Sequence, residues 1–283
     1  MTDSHSVTQG VLYIVATPIG HRDDISLRAI HTLQSVDLIL AEDTRHSMPL
    51  LTALGIKKPL LSMHAHNEAT QSEQIISLLL QGKSCALISD AGTPLISDPG
   101  FPLVRLAKAH HITVTPIPGA CALITALSAA GAPCDAFGFY GFLPAKCAAR
   151  RHKLESLKDI DHTLIFYEST HRILECLEDI AYVFGTACEV ILAKELTKAF
   201  ESFVSGRPAE ISAWLLEEHH IKGEFVLIIP PRGVEKDLNR HEKVLSILLK
   251  ELPLKQAVKL ACHLTEAPKN ELYLLALTLQ KKV

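Results

Sequence analysis

The stretch Ile88-Ser-Asp-Ala-Gly-Thr-Pro-Leu-Ile-Ser-Asp-Pro-Gly100 puts two carboxylates, two glycines and two prolines into thirteen residues. Glycine lets a ligand approach the main chain, and proline fixes the shape of a loop. Asp90 is the first candidate for an acid in such a loop. A purely structural turn is the alternative, but long shaped loops at strand ends more often bind than merely connect. Several other chemistries lack their motifs. No G-x-G-x-x-G follows the first apolar run, and G-x-x-x-x-G-K-[ST], H-E-x-x-H and G-x-S-x-G do not occur. The pairs His64/His66, His110/His111 and His219/His220 have no cysteine or carboxylate at metal-ligand spacing, so no bound metal is expected.

The loop must be positioned by its neighbours in sequence. Val11 to Ala16 is a short apolar run rich in β-formers and stopped by Thr17-Pro-Ile-Gly20, which predicts a buried strand and its exit loop. Ser26 to Gln34 has helical character, and Val36 to Ala41 predicts a second strand running into Glu42-Asp-Thr-Arg45. Met48 to Leu54 predicts a helix, Pro59 to Met63 a weak strand, Asn67 to Leu80 a helix closed by Gly82, and Cys85 to Ser89 a strand. A helix near Pro102 to Ala109 and a strand Thr113 to Ile117 follow. This alternation implies a parallel sheet with helices on both faces. The loops after Ala16, Ala41, Ser89 and Ile117 should then share the rim beyond the strands' carboxyl ends, where ligands bind in such sheets.

Ala120 to Ala130 predicts a buried helix near a domain boundary. Beyond it come a strand near Ala136 to Tyr140, a basic helix from Ala145, a strand Thr163 to Tyr167, a helix Arg172 to Phe184 and a strand Glu189 to Ala193. Phe203 to Gly206, a helix near Ala209 to Glu217 and a strand Glu224 to Ile229 complete a mixed α/β unit. The predicted fold class is α/β, in three parts: an N-terminal α/β domain at 11–119, a second α/β domain at 120–231 and a helical segment at 239–283.

With 283 residues, 48% of them hydrophobic, the chain exceeds one typical domain. A net charge of -3 gives no bulk attraction to nucleic acid, so any such partner must be met by local patches. Seven cysteines without a C-x-x-C pair read as reduced thiols of a cytoplasmic protein. Met1 to Gly10 lacks the basic region and cleavage site of an export signal, and no apolar run reaches the ~20 residues of a membrane span.

Seven motifs occur in one order: Thr17-Pro-Ile-Gly20, Ala41-Glu-Asp-Thr-Arg45, His64-x-His66-Asn-Glu68, Ser89 to Gly100, Gly141-Phe-Leu-Pro144, Phe166-Tyr-Glu-Ser169 with His171-Arg172, and Glu195-Leu-Thr-Lys198. Together, from about Tyr13 to Pro230, they resemble the tetrapyrrole-methylase-like (class III) methyltransferases, and among them the bacterial enzymes that methylate the 2′-O-ribose of a cytidine in 16S ribosomal RNA. The C-terminal segment is similar to that group's small helical tail. The resemblance implies two α/β domains with S-adenosylmethionine in the cleft between them, and a homodimer. It places cofactor contacts at Pro18, Ile19, Asp90, Ala91, Gly92, Thr93, Ile96, Cys121, Ala122, Glu168 and Leu196, mostly through the main chain. It also turns Asp90 from a catalytic acid into a residue that fixes the loop, while Asp98-Pro-Gly100 shapes the loop's exit. The sequence departs from the pattern at His21-Arg22 (Asn-Leu in the family), Met63 (Tyr), Ala65 (Glu) and Ala120-Cys121 (Pro-Ser).

The implied reaction needs a group that takes the proton of a 2′-hydroxyl. Candidates near predicted strand ends are Glu42, Asp43, His64, His66, Glu168 and Glu195, with Arg45 and Lys194 able to tune or pair them. A helix cap is an equal reading for Glu42-Asp-Thr-Arg45, and a structural or surface role for His64 and His66. Lys146, Arg150 and Lys153 fall on one helical face with Arg151 adjacent, a stripe able to hold RNA phosphates unless it is an ordinary solvated face. Arg45, and Lys255, Lys259 and Lys269 in the tail, are further candidate contacts to 16S rRNA or the small ribosomal subunit. Two other functions stay open: methylation of a tetrapyrrole or protein side chain on the same fold, and a non-catalytic RNA-binding module.

Overall fold

The computed structural model describes residues 9–64, 67–217, 220–231, 235–265 and 267–280. The chain divides into two compact units: one runs through Glu155 and includes His162–Pro230, and the other comprises Ser156–Asp161 and the chain from Pro231 onward.

The first unit holds two five-stranded sheets. β1 (Val11–Val15), β2 (Leu38–Ala41), β3 (Leu60–Ser62), β4 (Cys85–Ile88) and β5 (Thr113–Ile117) form the first, in the order β3-β2-β4-β1-β5. All of its pairs are parallel. α1 (Leu27–Ser35), α2 (Thr44–Ala53), α3 (Glu68–Leu80) and α4 (Phe101–Ala109) cover it. Leu12, Leu40 and Leu87 pack with Ile75, Leu79 and Leu103 of α3 and α4. Val15, Ile39 and Ile88 pack with Leu33 of α1 and Leu51 of α2. Alternate strand residues thus feed opposite cores, so a sheet covered on both faces reads as continuous apolar runs.

α5 (Ala122–Ala129) leads to the second sheet, and it is less buried than its apolar sequence predicts. Leu123, Ala126 and Leu127 are covered, while Ile124 is half exposed. β6 (Phe137–Phe142), β7 (Thr163–Ser169), β8 (Val190–Lys194), β9 (Ser202–Gly206) and β10 (Glu224–Ile229) lie in the order β6-β7-β10-β8-β9. The β6–β7 pair is parallel, and the pairs among β7, β10, β8 and β9 are antiparallel. α6 (Cys147–Ser156), α7 (Ile173–Phe184) and α8 (Pro208–Leu216) connect them.

In the second unit, α9 (Glu235–Glu251), α10 (Leu254–Thr265) and α11 (Lys269–Gln280) close on Leu245, Val258, Ala261, Leu272 and Ala276. Lys255, Lys259 and Lys269 are exposed, as are Leu260 and Leu264, which lie one turn apart on α10.

Candidate functional site

The four loops expected to share a rim are hydrogen-bonded to one another. Thr17 and Gly92 exchange main-chain bonds of 2.8 and 3.1 Å. The Thr93 hydroxyl donates to the Ala120 carbonyl at 3.0 Å, which ties the loop after β4 to the loop after β5. Asp90 accepts from the Asp43 main-chain N–H at 3.1 Å and lies 3.0 Å from His46 Nδ1, which ties it to the loop after β2. The loops after β1, β4 and β5 form one wall of a cavity of about 390 Å³. The opposite wall comes from the ends of β6, β7 and β10 and from the turn after β8.

Ile19, Asp90, Ala91, Gly92, Thr93, Ile96, Cys121, Ala122, Glu168 and Leu196 line this cavity together, whereas Pro18 is set back from it. The lining also holds Asp98, Phe142, Tyr167, Thr170, His171 and Gly223, none of which was named as a contact from the sequence. Phe142, Tyr167 and His171 lie within or beside quoted motifs, so their signal was present. In the sequence Asp98 reads only as a shaping residue. Both walls contain strained backbone: Leu95 and Ser97 have φ of 71°, and Glu195 and Thr197 have φ of 50° and 62°. Non-glycine residues in this region cost roughly 1–3 kcal/mol each and persist where surrounding structure fixes them.

The carboxylates of the two walls differ in their partners. Glu168, with a fully buried side chain, accepts from Arg172 at 2.9 Å and from the Ser169 N–H at 2.8 Å. Glu195 accepts from Lys198 Nζ at 2.9 Å and from the Glu224 N–H at 3.0 Å. Burial opposes its ionised form, but the Lys198 and Glu224 hydrogen bonds bring its pKa below the usual value. Glu195 does not line the cavity, nor does the buried Lys194 at the end of β8.

On the other wall, burial, followed by the negative charges of Asp90 and Asp43, raises the Glu42 carboxyl. Burial and then Glu42 push Asp98 up to about 7. Asp43 follows its capping alternative: it is the N-cap of α2, accepting from the Arg45 N–H at 2.8 Å, and Arg45's guanidinium holds its carboxyl far below the usual range. The cap starts α2 at Thr44 rather than at the predicted Met48. Neither Glu42, Asp43 nor His64 lines the cavity. His66 and Ala65 lie outside the described residues.

The basic stripe requires a correction. Arg150 is 1% exposed, so it is not available to a phosphate. Its Nε donates to Asp179 at 2.7 Å, and its other nitrogens donate to Glu175 and to the Ala145 carbonyl. Arg151 also donates to Asp179, at 2.5 Å, and lies over the Tyr182 ring. Helical spacing put these residues on one side of α6, but a carboxylate on the neighbouring α7 made that side partly interior. Lys146 and Arg45 are exposed, and Lys153 is half-buried near the Tyr140 ring.

The departures from the family pattern fit their surroundings. His21 accepts from the Asp23 N–H and caps a short 3₁₀ turn, Arg22–Asp24. Met63 is fully buried in the core under β3. Cys121 reaches the cavity, and Ala120 supplies the carbonyl that Thr93 binds.

Residues 11–212 match the family of tetrapyrrole (corrin/porphyrin) methylases, and residues 235–280 match the RsmI C-terminal HTH domain. The chain is 50% identical over 270 residues to ribosomal RNA small subunit methyltransferase I of Xylella fastidiosa (strain Temecula1), covering 94% of this chain and 98% of that protein. It is 50% identical over 276 residues to the protein of that name from Escherichia coli O157:H7, covering 96% of each. Among solved structures, a diphthine synthase superposes with a TM-score of 0.62 at 13% identity, over 78% of this chain and 90% of that one. Uroporphyrin-III-C-methyltransferase from Thermus thermophilus superposes with 0.55 at 18%, over 78% and 94%. These two share the fold. With its paired sheets, its cavity between them and near full-length identity to the first two relatives, the chain belongs to the tetrapyrrole methylase family and, within it, to the ribosomal RNA small subunit methyltransferase I family.

Proposed function

We propose that this protein is an S-adenosylmethionine-dependent methyltransferase that methylates the 2′-O-ribose of a cytidine in 16S rRNA of the small ribosomal subunit. The observation that carries this reading is the 50% identity, over nearly the whole of both chains, to relatives named for methylation of small-subunit ribosomal RNA.

The cavity suits the cofactor. Its volume lies in the roughly 300–1,000 Å³ range of small-molecule sites, and its walls are mostly apolar with a few polar groups. Gly92 has a φ of 86°, and a Cβ there would meet Ile19 Cγ2 at 3.2 Å, so the main chain runs bare along the cavity. Ile19, Ile96 and Leu196 would hold the adenosine through apolar contact, and the main chain of Ala91, Gly92, Thr93, Cys121 and Ala122 would meet its polar groups. Glu168, locked by Arg172, would hold its edge of the wall, and Asp90 would fix the loop that carries Ala91. The bound cofactor supplies an electrophilic methyl group on a cationic sulfur. The protein aligns the acceptor hydroxyl with it and removes the hydroxyl proton.

Residues 11–119 and 120–231 would act as the two halves that build the cleft, and 239–283 as an RNA-binding part whose exposed Lys255, Lys259 and Lys269 meet phosphates. Arg45, Lys146 and Lys153 would extend the RNA contact on the first unit. The working form would be a cytoplasmic homodimer. No helix among the described residues is long and apolar enough to cross a membrane.

Calorimetry should detect S-adenosylmethionine binding to the purified protein. Labelled methyl should then appear on a cytidine ribose of 16S rRNA in small subunits that lack the modification. Binding without transfer to that ribose would reject the stated substrate, and no binding would reject the enzyme.

A further inference from the structure

β6 and β7 run parallel but fall out of step near the cavity. Phe139 pairs with Ile165 and Phe142 with Tyr167, so three residues of β6 advance against two of β7. The extra residue is a bulge, which re-aims the side chains beyond it. Side chains alternate between the two faces of a strand, so a shift of one residue moves a side chain to the other face. In an unbroken register Gly141 would pair with Tyr167, and Phe142 would share the face of Tyr140, whose ring stacks on the buried Phe166. The bulge turns Phe142 instead to the face of Phe139 and Tyr167, where both rings meet Tyr167 edge-on at 4.7 and 5.8 Å. Phe142 and Tyr167 line the cavity.

The Phe142 ring is held in place but left uncovered. Gly141 has a φ of 62°, and a Cβ there would meet Ser97 Oγ at 3.4 Å, so glycine lets the end of β6 turn close against the loop after β4. On the other side Leu143 is buried, and its carbonyl accepts from Arg172, the residue that also holds Glu168. Between these two anchors Phe142 is 53% exposed. A single exposed apolar side chain is ordinary on a surface, but this one is turned by a bulge into the lining of a cavity. Ile19 and Leu196, the apolar contacts assigned to the adenosine, are almost fully buried. Phe142 therefore belongs to the solvent side of the cavity, where a methyl acceptor has to enter, and it presents an unused aromatic face there.

We propose that Phe142 is the stacking platform for the nucleobase of the acceptor nucleotide. This rests on the methyltransferase reading above. A ribose oxygen reaches a methyl group inside a cavity only when its nucleotide leaves the stack of its neighbours, and the base then gives up its stacking. An aromatic side chain at the mouth returns that contact, as aromatic rings do for splayed bases in RNA recognition. Because the ring is fixed by its anchors, it sets the plane of the base and with it the direction in which the ribose presents its 2′-hydroxyl. Stacking uses the π face that every base has, so Phe142 positions the nucleotide, and the choice of base falls to other groups.

The test compares wild type, Phe142→Ala, Phe142→Leu and Phe142→Tyr on small subunits that lack the methyl group, with S-adenosylmethionine affinity measured separately by calorimetry. Phe142→Ala and Phe142→Leu should each lower kcat/KM by roughly 10–100-fold, the usual worth of one stacked base, while Phe142→Tyr stays within about threefold of wild type. Cofactor affinity should stay within about threefold in all three. Leucine fills space without an aromatic face, so a packing role would be restored by Phe142→Leu and a stacking role would not. Should Phe142→Ala lose its fold, read as a collapsed Tm, Phe142→Leu against Phe142→Tyr carries the same comparison. The proposal is overturned if Phe142→Ala keeps the wild-type kcat/KM, if Phe142→Leu restores it, or if folded Phe142→Tyr fails with the others. It is also overturned if the loss lies in cofactor affinity, which would assign the ring to the adenine of S-adenosylmethionine. If wild type methylates a different nucleotide, only the cytidine reading fails, and the variants are compared on that nucleotide. If wild type binds no cofactor or methylates no nucleotide, both fall.

Discussion

The two walls of the cavity treat their carboxylates in opposite ways. On the side built by the second sheet, Glu168 in the lining and Glu195 outside it each hold a cation and a main-chain N–H. On the side built by the loops of the parallel sheet, Asp98 in the lining and Glu42 outside it crowd with Asp90, and burial raises both. Paired carboxylates fix the shape of a wall, and their charge is already spent on their neighbours. A buried carboxylate held near others is costly to ionise.

The contrast can be broken from the paired side first. Arg150→Ala should cost about 3–5 kcal/mol, because it leaves Asp179 buried with one partner fewer, and urea unfolding would measure it. RNA affinity of the folded variant should match wild type, whereas a marked loss would restore Arg150 as an RNA contact. Arg172→Ala should cost about 3 kcal/mol by stranding the Glu168 carboxylate, somewhat less because Arg172 is itself partly exposed. It should also weaken cofactor binding. Gly100→Ala acts on the other wall. With a φ of 130° and Leu87 in the way, it should cost about 2 kcal/mol, read as a lowered Tm together with a weaker cofactor Kd.

Asp98→Asn should have the smallest effect on stability, and of opposite sign. The folded Asp98 titrates near 7 and the unfolded one in the ordinary range, so between these pH values the folded protein binds a proton that the unfolded chain has released. Stability therefore falls as pH rises through that window. Removing the charge should stabilise the protein at pH 8 by about 1–2 kcal/mol, allowing for solvent screening, and do nothing at pH 4. An equal effect at both pH values would show that Asp98 carries no special charge burden.

The parallel sheet was legible because each strand is a short apolar run closed by glycine, proline or an N-cap. Thr113–Ile117 was read with its observed bounds. The shared rim followed from strand direction alone, and the Thr17–Gly92 and Thr93–Ala120 bonds join the loops it named. Most of the predicted cofactor contacts sit around one cavity because they are local to those loops. The start of α2 was misplaced because Asp43 can be read as a site residue or a cap, and only its bond to the Arg45 N–H decides between them.

The sequence by itself determined which segments become strands and helices, which loops share a rim, and the family to which the motif order belongs, because each depends on local periodicity and chain direction. Tertiary structure alone decided which charges are free. Arg150 and Lys146 look alike along the chain, yet Asp179, 29 residues beyond Arg150, buries one and leaves the other exposed. Asp90 and Asp98 belong to one loop, yet the Asp43 N–H and His46 of α2 hydrogen-bond the first, while burial beside Glu42 raises the second. Charge state depends on desolvation and on partners brought from distant segments, and neither is written in the local sequence.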